Sequence, residues 1–120
     1  FGGPLADQGV VREWIARSRM EIDQIRLYTF KAAWLMDTTG NASARTEVAA
    51  IKVAAMEVAH QVVNRAVQAW GAAGVSDDTV LARLFSLTRA LQVADGPTEV
   101  HLRSIALREL KKYDAKDGAA

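Results

Sequence analysis

The sequence has 120 residues, of which 50% are hydrophobic and 24% charged, and these proportions indicate one folded domain rather than a disordered chain. Fifteen basic and fourteen acidic residues leave a net charge of +1, which argues against a nucleic-acid or membrane-surface binder. The absence of cysteine excludes disulfides, cysteine-ligated metals and thiol catalysis. Because the sequence starts at Phe1 rather than at a methionine, we expect it to be a segment of a longer protein.

Apolar residues spaced by three and four predict a long amphipathic helix over about residues 11–36. The Thr-Thr-Gly-Asn run at 38–41 contains helix-ending residues, so we expect a turn there. A second helix is predicted over about residues 42–70, and Gly71 and Gly74 are expected to end it. Its apolar face consists of unusually small side chains, which would let a partner helix approach closely.

Two shorter helices are predicted in the second half of the chain. Hydroxyl and carboxyl side chains at 76–79 offer N-cap oxygens to a third helix that continues to Leu91. Asp95 and Gly96 are expected to interrupt the helical structure after this third helix. Pro97 suits the first residue of a fourth helix. The third helix is apolar nearly all round, so we expect it at the centre of the molecule or covered by further protein. Together these elements predict an all-α fold, an antiparallel four-helix bundle.

The residues that could bind a metal do not form a convincing set. Glu57 and His60 have the Glu-x-x-His spacing of di-iron carboxylate bundles, but such sites need two of these motifs plus two more helical carboxylates. His101 follows Glu99 by two residues, which places the two side chains on different sides of a helix. We therefore predict no metal site and interpret Glu57 and His60 as an exposed or packed pair.

Asp95 can be interpreted in two ways from the residues alone. A carboxylate before Gly-Pro is usually a turn or capping residue. The same carboxylate follows an apolar helix and stands at the mouth of the next one, a place where a catalytic base could act. The residues themselves leave both interpretations open.

Three segments carry a family resemblance, and they occur in the order FGGPLADQ (residues 1–8), QAWGAAGV (68–75) and ADGPTEVHLR (94–103). They resemble, in turn, the start of the first helix, the Gln-x-x-Gly-Gly-x-Gly segment and the catalytic loop of one known domain. That domain is the C-terminal helical domain of the acyl-CoA dehydrogenase family, and the similarity is strongest to the subgroup of family members ten and eleven. The resemblance covers essentially the whole chain.

The resemblance implies an FAD-dependent enzyme that oxidises an acyl-CoA to the trans-2-enoyl-CoA. In that reaction a carboxylate removes the α-proton while a hydride leaves the β-carbon for the flavin. Asp95 would be the base, because it stands where most of the family has Glu before Gly. The N–H of Asp95 would bind the thioester oxygen together with the flavin ribityl chain, and Gly96 would let the backbone approach the substrate closely.

The resemblance also implies a set of cofactor-binding residues, which are Phe1, Gln8, Gln68, Gly71, Ala72, Pro97 and Glu99. Those from Gln68 to Ala72 would contact the flavin of a neighbouring subunit. Three departures from the family pattern fall in this set, because Ala72 replaces a Gly, Pro97 a Thr and Glu99 a Gln.

By the same resemblance, we expect an acyl-CoA substrate, an electron-transfer flavoprotein as electron acceptor and a homodimer or homotetramer. The expected compartment is the cytoplasm, or the mitochondrion or peroxisome in a eukaryote, without nucleic acid or a membrane span. The N-terminal helical domain and the middle β-domain of the family are missing from these 120 residues, so the isolated chain should be inactive. The alternative is a non-enzymatic helical oligomerisation or interaction module.

Overall fold

A computed structural model describes residues 2–117, and the side chains of residues 2–114. Over this range the regular structure is helical and contains no strand, which confirms the all-α class. The four α-helices are α1 (Gly9–Thr39), α2 (Arg45–Trp70), α3 (Leu81–Leu91) and α4 (Thr98–Asp117). Two short 3-10 segments, Leu5–Asp7 and Gly71–Val75, precede α1 and follow α2.

The helix ends lie close to the predicted positions. Helix α1 ends before Gly40, which has φ +87°, and α2 ends at Trp70 as predicted. The hydroxyl of Thr79 accepts a hydrogen bond from the Leu81 N–H at 3.3 Å, which makes it a capping oxygen for α3. Pro97 precedes α4 and its carbonyl accepts from the Val100 N–H at 3.0 Å, so Pro97 is a cap rather than the first helical residue.

Helix α2, rather than α3, is the central element. The principal contacts of α1, α3 and α4 are all with α2, and most α2 side chains around its circumference are buried or half-buried. Of the two alternatives expected for α3, the central position is therefore wrong, and cover by further protein stays a prediction. Alanines occur on every side of α2, and small side chains let helix axes approach from several directions. Leu87 of α3, by contrast, is largely exposed.

The inward face of α1 is narrower than the predicted apolar stripe. Apart from Asp23, the buried and half-buried residues of α1 recur at alternating steps of three and four, at residues 11, 14, 18, 21, 25, 28, 32 and 35. This spacing is the heptad pattern of a helix that packs along one partner. Ile15 is one of the apolar residues that predict this helix, yet it is 58% exposed. The reason is that a single packed partner covers only one narrow face of α1.

Little of the apolar surface is buried within the described residues. The chain extends 69 × 27 × 27 Å, and its radius of gyration of 18.9 Å exceeds the about 14 Å of a compact chain of this length. Trp34 and Trp70 are each 61% exposed, whereas Trp14 is half-buried against α2. Exposed apolar surface of this extent is typical of surfaces that bind other protein. Over the described residues, no helix combines the length and hydropathy needed to cross a membrane.

One ion pair joins α1 to α2 across their interface. Both guanidinium ends of Arg65 donate to Glu21, at 2.5 Å from Nη1 and 2.8 Å from Nη2, and Nη1 also donates to the Ser18 hydroxyl at 3.1 Å. The side chains of Arg65 and Glu21 are only 16% and 27% exposed. The hydrogen bonds from Arg65 hold the pKa of the Glu21 carboxyl below its ordinary value. A bidentate pair of this kind is the strongest geometry for a charged contact.

We expect Glu21→Gln to lower the free energy of unfolding by about 1 kcal/mol at pH 7, because Arg65 then lacks its charged partner. Because the folded-state pKa of Glu21 is lowered, its contribution is present above the unfolded pKa and is lost as pH falls through the folded value. Urea unfolding at neutral pH and below about pH 4 should therefore show the difference shrinking in acid.

Glu13→Gln is the matched control, because Glu13 pairs with Arg17 at 2.7 Å on the exposed side of α1. This control should be near neutral at both pH values. A Glu21 variant as stable as the control at pH 7 would contradict the assigned role of the pair.

Candidate functional site

The loop between α3 and α4, residues 92–97, is called the Asp95 loop and has an unusual backbone at Asp95. Asp95 has φ +54° and is the one non-glycine residue in the described part of the chain with positive φ. Gly96 follows with φ +100°. Asp tolerates the left-handed region better than most residues, because its short carboxyl can interact locally. The Asp95 side chain is exposed, so the carboxylate lies at the surface of the turn.

Side chains from two helices hold this loop. From α2, Lys52 Nζ donates to the carbonyls of Leu91 at 2.9 Å and Gly96 at 3.0 Å. From α4, His101 Nε2 lies 3.3 Å from the Asp95 carbonyl. Because a carbonyl only accepts, His101 carries its proton on Nε2 in this contact. The backbone on both sides of the Asp95 Cα is thus fixed by side chains.

Two backbone donors of the loop remain available. Within the described residues, no hydrogen bond uses the N–H of Asp95 or the N–H of Gly96. Consecutive unpaired N–H groups can bind an oxygen that gains negative charge during a reaction. The loop therefore presents a carboxylate and two adjacent donors at one place.

A surface pocket of about 550 Å³ lies beside this loop. Helices α1, α2 and α4 and the loop itself contribute its lining, which is Met36, Asn41, Arg45, Val48, Ala49, Lys52, Asp95, His101, Ser104 and Arg108. Arginine and lysine outnumber the single carboxylate, so the pocket favours an anionic ligand or a developing negative charge. Arg108 also donates to the Arg45 carbonyl at 3.0 Å, which ties α4 to the start of α2.

Three of the predicted cofactor-binding residues meet in a second pocket. Gln8, Gln68 and Gly71 line a cavity of about 430 Å³ between the start of α1 and the end of α2, with Trp14 and Trp70 beside them. Amide side chains supply both donors and acceptors, and indole rings offer flat apolar faces. This combination fits part of a cofactor that carries an aromatic ring and polar edges.

The remaining predicted cofactor residues lie elsewhere. Ala72 is exposed in the 3-10 segment and its methyl group does not line the second pocket. Pro97 and Glu99 are exposed at the start of α4, next to the Asp95 loop. Phe1 lies outside the described residues. The structure therefore divides the predicted site residues into two clusters, one at the Asp95 loop and one at Gln68.

The two clusters are well separated along α2. The Asp95 loop is bonded to Lys52, and Gln68 lies sixteen residues further along the same helix. At 1.5 Å rise per residue, this corresponds to about 24 Å.

His60 packs against α3 rather than joining Glu57 in a metal site. Its Nδ1 lies 3.0 Å from the Thr88 hydroxyl, and its ring centroid is 4.5 Å from that of Phe85. The Glu57 side chain is exposed. Across the described residues, no group of three or more His, Cys, Asp or Glu side chains could hold a metal ion.

The sequence analysis missed Lys52, the positioning role of His101 and the basic lining of the first pocket. A signal for Lys52 was present, since it is a charged residue within the apolar, alanine-rich run that follows Ala49. For His101 the sequence analysis tested only metal binding. His101 is half-buried, and so are Ser104, Ile105 and Arg108 at helical spacing after it. These residues form the face of α4 that lies towards α2.

Comparison with known proteins gives a consistent result. The family model described as "Acyl-CoA dehydrogenase, C-terminal domain" matches residues 1–110. The chain is 58% identical over its full length to "Probable acyl-CoA dehydrogenase FadE2" of Mycobacterium tuberculosis, and covers 30% of that protein. It is 53% identical over 102 residues to human "Acyl-CoA dehydrogenase family member 11", with 85% of the chain and 13% of that protein covered.

A solved structure is also similar. The chain superposes with a TM-score of 0.90 and 48% sequence identity on "a putative acyl-CoA dehydrogenase from Mycobacterium abscessus". The match covers 94% of this chain and 28% of that one. The chain thus spans less than a third of the length of each of these relatives.

We expect Gly96→Ala to destabilise the Asp95 loop by about 1–3 kcal/mol. An alanine at φ +100° is strained, and its Cβ would lie 3.2 Å from His101 Nε2. Thermal unfolding should detect the loss. Gly9→Ala is the matched control, because no heavy atom lies within 4 Å of an added Cβ at this first residue of α1. Equal melting temperatures for the two variants would contradict the strained geometry.

Proposed function

Because the chain belongs to the acyl-CoA dehydrogenase family and matches its C-terminal domain over residues 1–110, we propose that it forms part of an FAD-dependent acyl-CoA dehydrogenase. The reaction is the oxidation of an acyl-CoA to the trans-2-enoyl-CoA. Residues 1–120 would be a single helical domain at the C-terminal end of this longer flavoenzyme, and the share of each relative that they cover supports this view. The N-terminal helical domain and the middle β-domain would complete the acyl and flavin sites.

Asp95 is the proposed base. Its carboxylate takes the α-proton and becomes a carboxylic acid, while the electrons of the α-C–H bond form the new double bond and the β-hydrogen leaves as hydride. FAD supplies the acceptor for that hydride. The conformation of Asp95 supports this role, because the exposed carboxylate lies beside two unpaired backbone donors on a loop held by Lys52 and His101. That juxtaposition is the observation on which the proposal depends most.

The loop also offers a way to stabilise the negative charge created by proton removal. The N–H of Asp95 would bind the thioester oxygen as charge develops on it, and fixed donors of this kind lower the barrier. Arg45, Lys52 and Arg108 line the adjoining pocket and contribute a positive potential. Asp is one methylene shorter than the Glu usual in the family, so the backbone must approach the substrate more closely, and Gly96 permits this.

The second pocket is the proposed flavin contact from a neighbouring subunit. Gln8, Gln68 and Gly71 would hold the cofactor there through amide and backbone groups. The family resemblance implies that this cluster contacts the flavin of a neighbouring subunit, and its separation of about 24 Å along α2 from the level of the Asp95 loop is compatible with that arrangement. A homodimer or homotetramer follows, and the exposed Trp34 and Trp70 supply apolar area for it.

The remaining assignments rest on the family alone. We infer an electron-transfer flavoprotein as the electron acceptor. The proposed compartment is the cytoplasm, or the mitochondrion or peroxisome in a eukaryote. Residues 1–120 by themselves should not turn over acyl-CoA, because the N-terminal helical domain and the middle β-domain of the family would supply the rest of the site.

A non-enzymatic interaction module is the second candidate function. The extensive exposed apolar surface favours it, since such surface serves association whether or not chemistry takes place. The two candidates differ at Asp95, which is essential to the first and only a turn residue in the second.

In the intact protein, we expect Asp95→Asn to lower kcat for acyl-CoA oxidation by about 100-fold or more, because an amide cannot accept the α-proton. Flavin content should stay unchanged, since Asn adopts positive φ and caps turns as readily as Asp. Turnover with acyl-CoA and the visible flavin spectrum are the two measurements.

Asp77→Asn provides the control, because Asp77 is an exposed carboxylate in the turn before α3. It should retain full turnover. An Asp95→Asn protein with wild-type turnover would exclude Asp95 as the base and favour the interaction module.

We also expect Gln68→Ala in the intact protein to weaken flavin binding about tenfold, through loss of an amide hydrogen bond in the second pocket. Flavin released on dilution, followed by fluorescence, measures the effect. Gln61→Ala removes the same side chain from an exposed position of α2 outside that pocket. Equal flavin release from both variants would remove Gln68 from the cofactor site.

A further inference from the structure

Lys52 on the central helix binds backbone carbonyls rather than a carboxylate. Its Nζ donates to Leu91 at 2.9 Å, to Gly96 at 3.0 Å and to Gln92 at a longer 3.4 Å. An ammonium has three donors, so these contacts use all of them. The three acceptors lie 39 to 44 residues further along the chain, at the two ends of the Asp95 loop.

The position of this cation has a clear physical effect on the loop. Leu91 ends α3 and Gln92 caps it, and the carbonyls at a helix C-terminus carry the negative end of the helix dipole. A half-buried cation stabilises them there. Because the same ammonium also binds the Gly96 carbonyl, it fixes the distance between the end of α3 and the residue after Asp95.

The Asp95 carboxylate itself lacks such a restraint. Among the described side chains, no hydrogen bond or ion pair is made by the Asp95 carboxylate. The backbone, at φ +54°, therefore sets the direction of the Cα–Cβ bond, which is the fixed part of the carboxylate's position. His101 holds the Asp95 carbonyl from α4, and Lys52 holds the next carbonyl from α2. The two contacts fix the two successive peptide planes that follow the Asp95 Cα, and with them the backbone from which the side chain projects.

We propose that Lys52 is a positioning residue, which aims the Asp95 carboxylate and N–H at the acyl-CoA by holding the carbonyls of Leu91 and Gly96. The inference rests on the proposed function of Asp95. Lys52 moves no proton in this role, since its three donors are occupied by backbone carbonyls. Its contribution is to keep the base within reach of the α-carbon, and a displacement of about 1 Å at such a place lowers rates about 100-fold.

The test compares Lys52→Met with Lys31→Met in the intact flavoprotein. Methionine keeps the length and apolar stem of lysine but removes the three donors. Lys31 is a matched control, because it also bridges two helices, through Glu47 at 3.1 Å, but lies away from the loop. For Lys52→Met we expect kcat about 10- to 100-fold lower, with KM for acyl-CoA and flavin content within about twofold of wild type.

Two further measurements separate positioning from a general loss of structure. The isotope effect on kcat with α-deuterated acyl-CoA should rise, because a misplaced base makes proton removal slower relative to the other steps. Hydrogen exchange should accelerate at Val93, Ala94 and Val100, whose N–H groups are bonded within the loop and its flanks. Exchange in the middle of α2 should be unchanged, and Lys31→Met should alter none of these quantities.

Several results would overturn the inference. Unchanged kcat and unchanged loop exchange would do so, and so would a uniform rise in exchange over all helices accompanied by loss of flavin. If Lys52→Met does not fold, Lys52→Gln carries the same measurements, because its amide lacks the charge and the third donor of the ammonium and its side chain is shorter. Wild-type loop exchange and a wild-type isotope effect in the glutamine variant would then exclude the positioning role.

The outcome also distinguishes this inference from the proposed function. An enzyme that loses turnover in Asp95→Asn but keeps it in Lys52→Met retains its proposed function and loses only the positioning role of Lys52. A wild-type protein whose flavin is not reduced by any acyl-CoA overturns both.

Discussion

The architecture depends on helix α2, against which three other helices pack. Helix α2 contains 26 residues, and alanines on every side of it leave room for α1, α3 and α4. Its two ends also position the functional residues, because Lys52 near one end binds the Asp95 loop and Gln68 near the other lines the second pocket. A helix that is packed along its whole length keeps these two clusters at a constant separation. Helix α2 is therefore the core of the fold and also sets the distance between the two clusters.

The Asp95 loop illustrates how a strained backbone can serve a site. A left-handed residue costs of the order of 1 kcal/mol or more, and it persists only where its surroundings fix it. Here the surroundings are specific, because Lys52 binds the carbonyls of Leu91 before the turn and Gly96 after it, and His101 lies 3.3 Å from the Asp95 carbonyl. A short carboxylate suits such a turn better than a long one, since Asp tolerates positive φ. Positive φ and the shorter side chain therefore belong together in this loop.

The sequence predicted local structure well and the packing arrangement less well. Helix ends at Gly40 and Trp70 follow from local residues, whose effect on the backbone needs no knowledge of neighbours. The choice of central helix depends on how small side chains are distributed around α2, and hydrophobicity alone pointed to α3. Lys52 stands out as a charged residue in an apolar run, but the partners of Lys52 and His101 could not be predicted, because backbone carbonyls leave no residue pattern in the sequence. Gln8 and Gln68 are 60 residues apart in the sequence, so their placement in one pocket could not be predicted from spacing, and their cofactor-binding role stays a prediction.

The separation of the two clusters bears on why so much apolar surface is exposed. Along a continuous helix, about 24 Å lies between the level of the Asp95 loop and Gln68, and no rotation of side chains closes that gap. If the Gln68 cluster contacts the flavin of a neighbouring subunit, as the family resemblance implies, assembly would be needed to complete the cofactor site. Trp34 and Trp70 are each 61% exposed, and large exposed aromatic residues are typical of surfaces that bind other protein. Under the proposed function, the surface that assembles the protein would also contribute to the cofactor site, because Trp70 is exposed and lines the second pocket beside Gln68.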